Sequence, residues 1–353
     1  MLNKLNYTLF LVILFASCEE FYTPKIDTIG GQLVVDAQIT NDVSQNYVHL
    51  TKTNAFYSTQ PAEPVTGAKV ELVQVIGNSN TTTTAYESGA GNFYFSSTPV
   101  IGKNYKLRIT ILQDIYESEV VAMPPIPSIS SFYTEHKAEK QYRTSSAGAP
   151  IEYIFEGRQT YIDAPITSAL SHYRFVLRSI MEWVYTPPEV AGPPPPQIYG
   201  WNSFYYKSEF YLAGPKIYSQ SGKIEKQPLM TMSYSTYDYL QTDTVVQKCW
   251  ILMIDQFGTS AGSYDFHEKL NSQFAADGSL FDPVQTQIFG NITCKTDASK
   301  IVFGYFDLNS YRQYRYYITL GGRNNTSIPR QINSYPTIPF AGTTKGFPPS
   351  WWE

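Results

Sequence analysis

Charge is scarce in this chain. Only 16% of its 353 residues are Asp, Glu, Lys or Arg, the formal net charge is −4, and no run of Lys or Arg stands out. The electrostatic footprint of a nucleic-acid binder is therefore missing, and DNA and RNA are excluded as partners. Histidine is equally sparse. The four copies, His49, His136, His172 and His267, lack the spacing of metal ligands. No Gly-x-Ser-x-Gly elbow, phosphate-cradling glycine loop or His-Glu-x-x-His pattern occurs. These absences point to a protein that is not an enzyme and that holds no metal. Two partial constellations are weaker still. His267 and Glu268 are adjacent on an expected helix, where neighbouring side chains diverge, so they form no dyad, and a surface or half-packed histidine is expected. Asp277, Asp282 and Asp307 lack the alternating spacing of a calcium loop and read as turn formers. With three cysteines in all, the chain is no disulfide-stapled scaffold. Cys249 and Cys294 leave open either one bridge or two small buried hydrophobes.

Long apolar runs are also absent. The first segment has a basic start at Lys4, an apolar stretch from Leu9 to Phe15, then Ala16, Ser17 and Cys18. It is shorter than the roughly 20 residues that a spanning helix needs and has the three parts of a secretory signal. The cysteine at its end gives it the form of a bacterial lipoprotein signal, in which cleavage precedes Cys18 and that residue carries the acyl chains. The covalent lipid is then the one non-protein group expected. Glu19 and Glu20 follow directly, and such an acidic pair resembles the surface-export signal of Bacteroidota lipoproteins.

Aromatic residues, by contrast, are abundant: 29 Tyr and 20 Phe help bring the aromatic fraction to 15%. Together with many Thr and Val they favour strands. Leu33, Val35, Ala37 and Ile39 alternate with Gln32, Asp36, Gln38 and Thr40 as in a half-buried strand. Further strand-like runs at 47–53, 69–75, 82–88, 92–96, 105–111 and 116–122 are separated by turn signals such as Gly77-Asn78 and Gly89 to Gly91. That spacing predicts a β-sandwich, and its motifs look like those of immunoglobulin-like modules.

Met123-Pro124-Pro125-Ile126-Pro127 reads as a stiff connector. Beyond it, strands are expected at 173–184, 245–255, 301–306 and 314–320, the second of them buried on both faces. A helix is expected over 260–274, capped by Ser260, with Phe266, Leu270 and Phe274 on one face. A proline-rich stretch from Pro187 to Pro196 is followed by Tyr199, Trp201, Phe204, Tyr205 and Tyr206. These rings, on a loop or a strand, are the candidate residues for binding a ligand or partner. The organisation expected is therefore a signal peptide at 1–17, a lipidated tether at 18–31, an immunoglobulin-like β-sandwich at 32–123, a Pro-rich connector at 124–128, and a larger β-rich domain with one packed helix at 129–353. The fold class is mainly β.

From Cys249-Trp250 onward, the run Gln256-Phe257, Tyr264-x-Phe266-x-x-x-Leu270, Gly278 to Pro283, Gly290-Asn291-Ile292 and Val302-Phe303-Gly304-Tyr305-Phe306 resembles the signature of a Bacteroidota lipoprotein family, domain of unknown function 4249. The segments Gln32 to Asn41, Pro64 to Ala68, Tyr116 to Glu119 and the closing Pro349-Ser350-Trp351-Trp352 fit it too. The chain departs from the family in lacking a cysteine pair between Pro339 and Phe347. The resemblance implies an outer-membrane lipoprotein, lipid-anchored at the extracellular face, that partners a β-barrel of the TonB-dependent transporter type and possesses further contacts with other surface lipoproteins. Its role would be to help capture or enclose a substrate. Two alternatives are a structural subunit of an outer-membrane assembly or export machine, and an autonomous glycan binder using the Tyr199 to Tyr211 aromatics.

Overall fold

A computed structural model describes residues 31–55, 58–77, 79–145, 148–185, 192–193, 198–218, 222–233, 245–274, 287–319 and 330–331, with backbone alone at 143, 181–185, 198–209, 233, 245–249, 319 and 330–331. The described residues are mainly β. In chain order they run β1 (Leu33–Ile39), β2 (Tyr47–Lys52), β3 (Glu63–Pro64), β4 (Lys69–Ile76), β5 (Ser79–Thr84), β6 (Tyr86–Glu87), β7 (Asn92–Tyr94), β8 (Asn104–Ile111), β9 (Asp114–Ser118) and β10 (Val121–Ala122). After the connector come β11 (Ser131–Thr144), β12 (Pro150–Pro165), β13 (His172–Tyr185), β14 (Ile198–Ala213), β15 (Lys223–Ser233), β16 (Val245–Thr259), β17 (Ile292–Cys294), β18 (Val302–Leu308), β19 (Ser310–Thr319) and β20 (Arg330–Gln331). One helix of more than two turns, Ala261–Phe274, lies between β16 and β17.

The first strands build two facing sheets, ordered β18-β1-β2-β7-β6 and β17-β9-β8-β4-β5, with β3 beside β2 and β10 beside β8. Alternation explains the core between them. Leu33, Val35, Ala37 and Ile39 are buried on the inner face of β1, where they join Phe93, Leu107 and Phe306 in one cluster. Neither sheet closes from residues 32–123 alone. β18 pairs in parallel with β1 from Leu33↔Val302 to Ile39↔Leu308, and β17 pairs antiparallel with β9. Residues 292–308 thus complete the sandwich, so the connector at 124–128 does not part the chain into two continuous units.

The remaining strands form a three-stranded sheet, β11-β12-β15, and a five-stranded sheet, β14-β13-β16-β19-β20. These share a second core that includes Ile162, Phe175, Leu177, Leu252 and Ile318. β16 is central, and the consecutive residues Trp250 to Ile254 are all buried, which accounts for a run without alternation. The far parts of β11 and β12 extend past the reach of β15, which pairs only with 157–165. Among the described residues this part is a two-stranded ribbon, and it exposes Tyr142, Ile151 and Ile154.

The connector is no free spacer. Pro124 and Pro127 are buried, Ser310 Oγ donates to the carbonyl of Pro125, and the amide of Ile129 donates to Tyr314 Oη at 3.1 Å. Three asparagines also tie distant segments together, each using its side-chain amide to bond both the N–H and the C=O of one residue. Asn41 holds Tyr311, Asn271 holds Phe210 and Asn291 holds Phe306. Each arrangement satisfies two backbone groups that no ladder partner reaches.

Candidate functional site

The outer face of β2-β1-β18 carries a grid of polar side chains fixed by strand register. One row is His49, Asp36 and Tyr305, and the next is Tyr47, Gln38 and Asp307. The helix covers the β18 side of this grid. Ser260 caps the helix, its Oγ accepting from the amide of Ser263 at 3.1 Å, and the first two turns then deliver Ser263, Phe266 and His267. Ser263 Oγ donates to Asp307 Oδ1, the Phe266 ring stacks on Tyr305 with centroids 4.6 Å apart, and His267 Nε2 lies 3.5 Å from Asp307 Oδ2. From β13, Arg174 Nη2 donates to Gln38 Oε1 at 2.7 Å while its guanidinium stands 4.3 Å over the Phe257 ring.

Electrostatics divide the grid into a satisfied half and an open half. His267 is buried, and its Nδ1 is 2.9 Å from the Ser263 carbonyl. A carbonyl can only accept, so Nδ1 carries a proton, and Nε2 is the ring atom turned toward Asp307. Burial holds this histidine below its ordinary range despite the pull of Asp307. Asp36 differs. It is exposed to solvent, yet surrounding protein pushes its carboxyl above the usual range, with the charge of Asp307 adding to the effect and a hydrogen bond from Tyr47 opposing it. Its carboxylate accepts a hydrogen bond from Tyr47 Oη at 3.2 Å, and among the described residues no Lys or Arg lies within ion-pair distance of it. Tyr47 is itself pushed well up, first by burial and then by Asp36.

Other expected site residues lie elsewhere. Cys18, Glu19 and Glu20 fall outside the described residues. Tyr199, Trp201, Phe204, Tyr205 and Tyr206 are on the backbone of β14, not a loop, and β14 is an edge strand paired with β13. Cys294 is a free, buried thiol whose Sγ lies 3.3 Å from Thr296 Oγ1. It belongs to the sandwich core, whereas Cys249 lies on β16 with its side chain outside the described residues. His267 is buried, not a surface or half-packed residue, because the helix packs through Ser263, Tyr264 and His267. Of the Phe266, Leu270 and Phe274 stripe, Phe266 and Leu270 are half-buried, Phe266 stacking on Tyr305, whereas Phe274 is exposed; the fully buried positions are Ser263, Tyr264 and His267. Glu268 points away to Lys216 at 2.6 Å, as adjacent positions on a helix require. Asp307 is in the middle of a strand-borne network instead of a turn; Asp277 and Asp282 lie outside the described residues.

The polar grid was hidden in the sequence because Asp36 and Gln38 read as the solvent side of an amphipathic strand. Its remaining members arrive only when β18 pairs with β1 at the edge of the sheet and the helix packs on Tyr305 and Asp307. Among the described residues, no three His, Cys, Asp or Glu side chains group to hold a metal. Comparison with curated proteins and with solved structures gave no match. A family model does match, over residues 19–315, and covers every element of the polar grid. The chain belongs to the family described as Domain of unknown function (DUF4249).

Proposed function

We propose that this chain is a non-enzymatic lipoprotein of the outer membrane, anchored through Cys18, exposed at the cell surface, and serving as an accessory subunit of a TonB-dependent transporter-type barrel. There it helps capture or enclose substrate. The observation that carries the reading is Cys18 closing a short apolar segment and leading into Glu19-Glu20. Two features of the fold are compatible with it. The tether from Cys18 to Gly31 can reach no farther than about 50 Å at full extension, so the body stays near the membrane. It enters the fold at β1, a strand held on both sides by β2 and β18. The ribbon of β11 and β12 supplies a surface for a partner: a two-stranded ribbon is marginal on its own, and it displays Tyr142, Ile151 and Ile154 to solvent.

Depletion of the protein tests this role. Loss of uptake of one nutrient, with the outer-membrane protein profile intact, is the expected result. Broad loss of outer-membrane proteins would instead favour an assembly subunit and overturn the transport role.

A further inference from the structure

The hairpin turn between β8 and β9 holds a residue that serves neither the core nor its own backbone. Leu112 is 96% exposed and adopts φ +55°, in the left-handed region that tight hairpin turns normally give to Gly, Asn or Asp. An aliphatic side chain there strains the main chain and, left in water, gains nothing for the fold in return. Strain of this kind at an exposed position points to a task outside the chain.

Strand register fixes where the turn lies. Its base is stapled to the segment that leads into β18: the Lys295 amide donates to the Ile115 carbonyl at 2.7 Å, and Asp114 accepts from Thr296 Oγ1 at 3.2 Å and pairs with Lys300 Nζ. Two residues beyond Lys300, Val302 stands opposite Leu33, the first residue of β1. The turn therefore projects from the end of the sandwich at which the chain arrives from Cys18. A lipid surface is the occupant that this position favours. The tether, with its reach of about 50 Å, joins the body here, and the cations at the base of the turn are matched by carboxylates, Lys300 by Asp114 and Lys69 by Glu71. An apolar apex on a charge-balanced base suits the headgroup boundary, where leaving water is the gain and no ionic contact is needed.

We propose that Leu112 inserts into the surface of the membrane that holds the Cys18 lipid, and so fixes which end of the body faces the bilayer. This rests on the lipoprotein reading above. A single leucine buries too little to anchor the chain by itself, so it acts as an orienting contact.

The test places a photoreactive diazirine analogue of leucine at position 112 of the full chain, purified from membranes and reconstituted in vesicles of phosphatidylethanolamine and phosphatidylglycerol, and counts lipid adducts by mass spectrometry. Position 76 is the control, because Ile76 is exposed and ends β4, whose other end, Lys69, pairs with Thr110 beside the turn. Lipid adducts at 112 should outnumber those at 76 at least tenfold. Equal labelling, or none at 112, overturns the proposal. Protein adducts in place of lipid ones at 112 in intact outer membranes overturn it too, since a partner chain would then be the occupant. Because glycine relieves the turn, Leu112→Gly should melt no lower than the wild type; a lower melting temperature gives the leucine a place in the fold and counts against insertion in the same way. The mass of the Cys18 peptide reads the anchor separately. Acylated Cys18 with no adducts at 112 leaves the anchor standing and removes the insertion, whereas unacylated Cys18 with preferential adducts at 112 does the reverse.

Discussion

Gly290 and Gly304 meet backbone to backbone, so closely that a Cβ on Gly290 would overlap the carbonyl of Gly304. Gly304 in turn adopts φ +85° and lies against the backbone of Val35, where a Cβ would overlap the Val35 carbonyl. Neither clash can be relieved by rotating a side chain, because both obstacles are main chain. These two glycines let residues from the far end of the chain close the first sheet beside the strand that follows the tether.

Gly304→Ala and Gly290→Ala should therefore each destabilise the protein by about 3 kcal/mol or more, through strain and displaced backbone. Gly102→Ala, at another left-handed position but with open space around it, should cost only about 1 kcal/mol. Denaturant unfolding of the three variants measures the contrast, and equal losses would contradict it.

Asn291→Ala removes both bonds to Phe306 and leaves that residue's N–H and C=O buried without partners. The expected loss is about 2–4 kcal/mol, from unsatisfied backbone groups more than from the bonds themselves. Asn291→Asp keeps the acceptor for the Phe306 amide and should recover part of it. A variant series in which Ala and Asp unfold together would rule out this account of the side chain.

The stability of the fold should also fall on mild acidification because of His267. Its folded pKa lies below the ordinary value, so as pH falls below about 6.5 the unfolded chain takes up the proton first. Stability is lost from there down to the folded pKa. Unfolding midpoints recorded across this range should slope less in His267→Gln than in the wild type. Parallel slopes would mean that His267 is not the group responsible.

Asp36 gives the opposite sign. Its raised pKa means the folded state binds the proton more tightly, so stability falls as pH rises from about 3.9 through the folded value. Above that window the penalty of the charged form is constant. Asp36→Asn should then melt higher than the wild type at neutral pH, with the difference vanishing below the ordinary carboxylate pKa. A lower melting temperature at neutral pH would show that the carboxylate stabilises the fold.

Much of this architecture was legible locally. The alternation in β1, the unbroken apolar run at the centre of β16 and the Ser260 cap each follow from short-range pattern, and each stands in the structure. What escaped was non-local. β11 and β12 offer little alternation to read as strands, because their far ends hold few buried residues. The contact of His267 with Asp307 joins residues forty apart, and the rows beside Asp36 and Gln38 depend on the return of β18. The motif Tyr116 to Ser118 belongs to the same class: Glu117 bridges Lys106 and Arg108, and Ser118 Oγ accepts from the Leu107 amide. Such reasons become visible only when strands distant in sequence are set side by side.

The central claim, a surface lipoprotein seated on a barrel, is tested most directly by purifying the wild-type chain from outer membranes in a native detergent and identifying by mass spectrometry what comes with it. A TonB-dependent transporter-type barrel recovered in stoichiometric amount, and lost from the Cys18→Ala protein, is the result predicted. Recovery of the wild-type chain free of any barrel would contradict it.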